Sequence, residues 1–196
     1  LTKLKLKTYD EYLESHPDET DGFKEILKVA LTFPLYERIE KYPIIYAKHS
    51  ESGNFPKLDN SFFEYRKLLK IDNDSLMYYP PYFQYVRTLL YSKTYALGHP
   101  AVKSNYSAKF TIDLLKTIDK NINSEVSKNV FLKQTVISHF YNKSSCQIHE
   151  EPFDLFFELS TNKKDKEQIQ NIINDSKAVI KNNILPDFNV IDSTQT

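Results

Sequence analysis

The sequence has a single cysteine, three glycines, no tryptophan and no surplus of either charge, and each shortage removes a class of explanation. One thiol cannot close an internal disulfide, so neither a disulfide-stapled scaffold nor an intramolecular dithiol cycle can be assembled from these residues. Glycine stands only at positions 22, 53 and 98. That is too few for the tight turns of a β-rich fold or for a phosphate-cradling glycine loop, and the scarcity favours helices. Lysine plus arginine and aspartate plus glutamate each number 26, so there is no basic footprint for nucleic acid or for an anionic membrane surface. The longer apolar runs are broken by Pro34, Pro43 and the pair Pro80-Pro81, and none can span a bilayer.

What is present is helical periodicity. At 196 residues the chain can bury about two-thirds of its unfolded surface in one domain without a metal or disulfide. The opening residues Leu1 to Lys7 alternate Leu4 and Leu6 with lysines, as a short amphipathic strand or the tail of an upstream element would. A short helix from Thr8, as its N-cap, to Ser15 follows, ended by Pro17. Thr20 is placed to cap a helix carrying Phe23, Ile26, Leu27, Ala30 and Leu31. Pro34 stops that helix and starts another, which Pro43 ends or kinks. The glycine, serines and proline between His49 and Asn60 mark a surface loop, and Ser61 to Leu69 reads as a further helix.

The stretch Pro80 to Leu97 is apolar around most of its girth, with Tyr82, Phe83, Tyr85, Val86, Leu89, Leu90, Ala96 and Leu97, so it is expected at the centre with Gly98 as its left-handed cap. Tyr106 to Ile122 aligns Phe110, Leu114, Ile118 and Ile122. Ser124 to Tyr141 aligns Val126, Val130, Ile137 and Tyr141, and the short connection between the two predicts antiparallel neighbours. Pro152 opens a compact helix with Phe153, Phe156 and Phe157, and a last helix carries Ile169, Ile172, Ile173, Val179 and Ile180. The expected fold is all-α, a multi-helix bundle or stack of helical hairpins with about eight or nine helices, ending in an extended tail. No fixed repeat period recurs.

Candidate chemistry is sparse. Cys146 lies in Ser144-Ser145-Cys146-Gln147-Ile148-His149, where a neighbouring positive group would be needed to make the thiol reactive; a lone cysteine is more often a small inert side chain. His139, Cys146, His149, Glu150 and Glu151 match no standard zinc spacing, so no metal or cofactor is expected. No Gly-x-Ser-x-Gly elbow exposes Ser138 beside His139. Asp10, Glu11 and Glu14 read as a solvated helix face. No catalytic residue is therefore assigned. The densest local feature is Tyr78-Tyr79-Pro80-Pro81-Tyr82-Phe83-Gln84-Tyr85. Tyr78, Tyr79, Tyr82 and Tyr85 could form an aromatic binding surface, but rings beside a helix start are more often core.

The terminal residues carry a resemblance. Leu185-Pro186-Asp187-Phe188 followed by Asp192 is similar to the lead-in of thioredoxin-like domains of the TlpA and peroxiredoxin kind, where it opens the first strand ahead of a Cys-x-x-Cys pair. The tyrosine-, lysine- and asparagine-rich helices before it resemble the helical segment that precedes the thioredoxin-like domain in bacterial TlpA-like thiol-disulfide oxidoreductases. The resemblance implies a helical domain over residues 1–184, and over residues 185–196 the linker and first-strand lead-in of a thioredoxin-like domain lying beyond Thr196. It further implies a periplasmic or cell-envelope location, though a cytoplasmic one fits the single cysteine equally. The helical domain would serve positioning, dimer formation or substrate selection, with the thioredoxin-like domain, protein substrates or a second copy as partners. The competing reading is a free-standing helical protein-interaction or ligand-binding module. A third is a small enzyme using Cys146 and His149.

Overall fold

The computed structural model describes residues 1–101, 107–142 and 149–180. Among the described residues there are seven α-helices and two short 3-10 segments, and no strand. The all-α expectation holds. Residues 1–161 form one compact unit; α7 (Lys163–Ile180) belongs to a second. The expected boundary after residue 184, the whole 185–196 tail, and Cys146 lie outside the described residues.

α1 (Thr2–Ser15) runs through the opening lysine-leucine alternation, which is therefore helical and not a strand. Thr8 is no cap: its hydroxyl donates to the Leu4 carbonyl at 3.1 Å inside the helix. α2 (Asp21–His49) starts as expected, with the Thr20 side chain accepting from the Phe23 N–H. It then continues through both Pro34 and Pro43 for 29 residues. Each interior proline forfeits a hydrogen bond and costs on the order of 3 kcal/mol. Burial of Val29, Phe33, Tyr36, Pro43 and Ala47 along one side of α2 opposes that cost. Local breaker rules failed here because tertiary packing won.

α3 (Pro80–Tyr95) is central, as its composition indicated. Tyr82, Tyr85, Val86, Leu89, Leu90 and Tyr95 are buried, and Gly98 caps its end with φ +101°. Ala96 and Leu97 fall past the helix and are exposed, contrary to the expectation of a buried face there. Contacts climb α2 and α3 together. Phe33 meets Tyr82 and Tyr85, with ring centroids at 5.6 and 5.1 Å, and Glu37 accepts from Thr88 at 3.5 Å. The two helices are thus parallel, which requires a long return path. Residues 50–79 supply it, with 3-10 segments at Asn60–Leu68 and Asp74–Leu76 where a regular helix was expected over Ser61 to Leu69.

α4 (Ala108–Asn121) buries Phe110, Leu114 and Ile118 on one face, and Ile122 just beyond it is also buried. α5 (Glu125–Asn142) lies antiparallel to it, since Thr111 meets His139 near one end and Asp119 meets Lys128, at 3.0 Å, near the other. The α5 face read from the sequence is wrong. Val126 and Tyr141 are exposed, and the buried side is Ser127, Asn129, Phe131, Leu132, Thr135, Val136 and His139. Polar residues occupy the inner face because partners await them: Asn129 accepts from the Ser160 hydroxyl at 2.7 Å and from the Thr161 N–H at 3.0 Å. α6 (Glu151–Leu159) buries Pro152, Phe153 and Phe156 and packs on α4 and α5. In the second unit, α7 opens at Asn162, whose side chain accepts from the Asp165 N–H, and sets Ile169, Ile172 and Ile173 on one face.

The corrected α5 register makes a direct prediction. Leu132→Ala should cost about 2–5 kcal/mol of unfolding free energy and Val126→Ala no more than about 0.5 kcal/mol. Urea denaturation of the two variants checks this, and comparable losses in both would contradict the assigned face.

Candidate functional site

The one charged side chain sealed inside the helical unit, among the described residues, is Glu40, with no exposed surface. A carboxylate taken out of water costs several kcal/mol unless its oxygens are occupied by donors. Here they are. Arg66 grips both oxygens, Nε to Oε1 and Nη2 to Oε2, each at 2.6 Å, and the Tyr65 hydroxyl donates to Oε1 at 2.6 Å. The same Nη2 reaches the Ser92 hydroxyl at 3.3 Å. The Arg66 guanidinium also lies over the Phe63 ring, 3.7 Å from its centroid, and Tyr65 stacks on Tyr36 at 5.1 Å. Residues of α2, α3 and the 50–79 connection are thus joined at a single charge.

Electrostatics around this cluster follow from burial. Burial first, then the charge and hydrogen bond of Glu40, push the Tyr65 phenol well above the ordinary tyrosine value. Tyr85, buried and next to the same charge, is raised mainly by burial, and its hydroxyl has no hydrogen-bond partner among the described residues. Burial works to lower Arg66, but the Glu40 hydrogen bond and charge outweigh it and the net direction is up. Lys93, which donates to Asn121, is lowered by burial and then by the Arg66 charge. With every Glu40 oxygen engaged and no solvent access, this constellation is a clamp and not a reacting centre.

The connection is fastened at two further points. Tyr82, raised to about 12 chiefly by burial, accepts from the Asn73 N–H at 2.9 Å. Asp72 accepts from the Asn123 N–H and side-chain amide at 3.0 and 2.8 Å. Asp74 accepts from the Ser124 and Ser127 hydroxyls at 2.5 Å each, and these bonds hold its carboxyl below the usual range. Asp72 and Asp74 therefore seat the connection on the N-terminal end of α5.

The residues singled out from the sequence do not converge. Tyr82 and Tyr85 are fully buried in α3, Tyr79 is half-buried as its N-cap, and Tyr78 projects at 82% exposure. The four share no surface. His139 is buried and shares a hydrogen bond with Thr111 at 3.0 Å, whereas His149, Glu150 and Glu151 are exposed around the start of α6. Among the described residues no three His, Cys, Asp or Glu side chains are grouped as metal ligands. A His–carboxylate contact, unremarked in the sequence, joins His99 to Asp113 at 2.8 Å beside Phe110.

Two open grooves remain. One, of about 430 Å³, lies between α1, α2 and the 3-10 connection and is walled by Val29, Phe33, Tyr36, Leu68, Leu69 and Leu76. The other, of about 420 Å³, lies between the parallel helices α2 and α3. Both fall within the roughly 300–1,000 Å³ of small-molecule sites. Lys41, Ile44, Ile45 and Lys48 from α2 and Gln84, Arg87, Thr88, Tyr91 and Tyr95 from α3 form the second one. The i, i+3, i+4, i+7 spacing on both helices was visible in the sequence, but nothing there indicated that the two stripes face each other.

Two predictions follow from the tyrosines. Tyr65→Phe, which strips a donor from a buried carboxylate, should destabilise by about 1–3 kcal/mol, whereas Tyr85→Phe, which removes an unpartnered hydroxyl, should be neutral or stabilising; denaturant titration separates them, and equal losses would refute the assigned bonding. Because the folded-state values of Tyr65, Tyr82 and Tyr85 are raised, their contribution is complete below about pH 10 and declines above it as the unfolded chain ionises first. Tyrosinate absorbance followed with circular dichroism should show these phenols ionising only as helicity collapses; their titration near the ordinary value with helices intact would contradict the burial. Comparison with protein-family models, curated proteins and solved structures finds no match to the chain.

Proposed function

We propose that this chain is a non-catalytic helical domain of a TlpA-like thiol-disulfide oxidoreductase of the periplasm or cell envelope, serving to position, dimerise or select substrate for a thioredoxin-like domain. The observation that carries the reading is the run Leu185-Pro186-Asp187-Phe188 with Asp192, set directly after a succession of helices. Two features of residues 1–161 support it. Their core is filled by aromatic and aliphatic side chains from α2 to α6, so the unit closes on itself. Their sealed charge, Glu40, is neutralised within the unit, which suits a module carried beside a separate chemical centre.

A second reading, a ligand-binding module without a redox role, is favoured by one specific feature, the groove between α2 and α3. Two measurements decide between the readings. The coding sequence read past Thr196 should encode a Cys-x-x-Cys pair, and the complete gene product should reduce insulin disulfides while residues 1–196 alone do not. A stop codon directly after Thr196, or disulfide reduction by residues 1–196 alone, would refute the proposal.

A further inference from the structure

The α2–α3 groove has a charge pattern that the rest of the molecule does not require. Lys41, Lys48 and Arg87 line it and no acidic residue does. Glu37 pairs with Lys41, at 2.6 Å, and accepts from Thr88, and no carboxylate among the described residues pairs with Lys48 or Arg87. Since the whole chain carries equal numbers of acids and bases, this surplus is local. The negative end of the α2 dipole accounts for Lys48, in its last turn, but not for Arg87 on α3.

The cations are also spaced. Lys41 and Lys48 sit seven residues apart on one face of α2, which a rise of about 1.5 Å per residue converts to roughly 10 Å along the helix. In the parallel pairing Glu37 lies level with Thr88, so Arg87 shares the Lys41 end of the groove and Lys48 marks the other. Between them the wall is apolar and aromatic: Ile44, half-exposed Ile45, and Tyr91, over which the Arg87 guanidinium is held at 5.6 Å. The order along the groove is cation, hydrocarbon, cation.

We propose that this groove binds an elongated organic dianion, two carboxylates or equivalent acidic groups held about 10 Å apart by an apolar or aromatic body. Arg87 and Lys41 hold one anionic group, Lys48 holds the other, and Ile44, Ile45 and Tyr91 cover the body. The groove's volume of about 420 Å³ suits a ligand of that size. Lys41, half-exposed, keeps its bond to the largely buried Glu37 and turns its remaining N–H donors to the ligand. The proposal is independent of whether a thioredoxin-like domain accompanies the chain.

The test is a titration with a naphthalene dicarboxylate whose acid groups stand at opposite ends of the ring system, followed by amide chemical shifts. Perturbations should concentrate at 41–48 and 84–95. The corresponding monocarboxylate should bind about tenfold more weakly, the loss expected for one charged contact. Lys48→Gln, at an exposed position, should bring the dianion down to the monoanion's affinity, whereas Lys70→Gln, on the other groove, should leave it unchanged. Equal affinity for the two acids, perturbations centred elsewhere, or a Lys48→Gln variant that binds the dianion normally would each overturn the proposal.

Discussion

A carboxylate with no exposed surface and a guanidinium gripping both its oxygens hold this fold in register. Glu40 belongs to α2 and Arg66 to the connection that carries the chain back for a parallel α3. Helices joined by short turns fall antiparallel, as α4 and α5 do; a parallel neighbour demands a long path and something to fasten it. Across residues 50–79 only Gly53, Leu76 and Met77 are buried, so hydrophobic burial alone fixes most of the connection weakly. Arg66 and Tyr65 supply the anchor from one side, and Asp72, Asn73 and Asp74 from the other. A buried pair adds little net stability over an apolar replacement, but breaking one half of it is costly, and that asymmetry turns it into a specificity device.

The functional consequence is geometric. Because α2 and α3 rise together, residues at matching helical spacing on both helices open to one side, and the stripe Lys41, Ile44, Ile45, Lys48 faces Gln84, Arg87, Tyr91 and Tyr95. An antiparallel arrangement would pair these residues differently and disperse the cations. Groove and clamp use adjoining faces of the same stretch of α2: Glu40 points inward while Lys41 and Ile45 stay exposed. Glu40 is satisfied by Arg66 and Tyr65, so it draws on none of the groove cations Lys41, Lys48 and Arg87.

Much of this fold was legible in the sequence, and the parts that were not share a physical cause. α3 and α4 could be read because their buried sides are continuous hydrocarbon and aromatic surface, as with Phe110, Leu114 and Ile118. α2 was misread because Pro34 and Pro43 are strong local signals, overridden by contacts with residues some fifty positions later. α5 was misread because its inner face is made of Ser127, Asn129, Thr135 and His139, which apolar periodicity scores as outside. Glu40 gave no signal at all, since an isolated glutamate in a helix looks solvated until its partner 26 residues away is known. The tyrosine-rich start of α3 was identified as dense but divides between core and surface.

The central claim, that one buried ion pair fixes the parallel path, is tested most directly by a double-mutant cycle at Glu40 and Arg66 using methionine at both positions. The account predicts that each single change costs about 3–5 kcal/mol, because it strands a buried charge, while the double change costs far less than the sum. Additive losses would show that the two side chains do not act as a unit, and would contradict it.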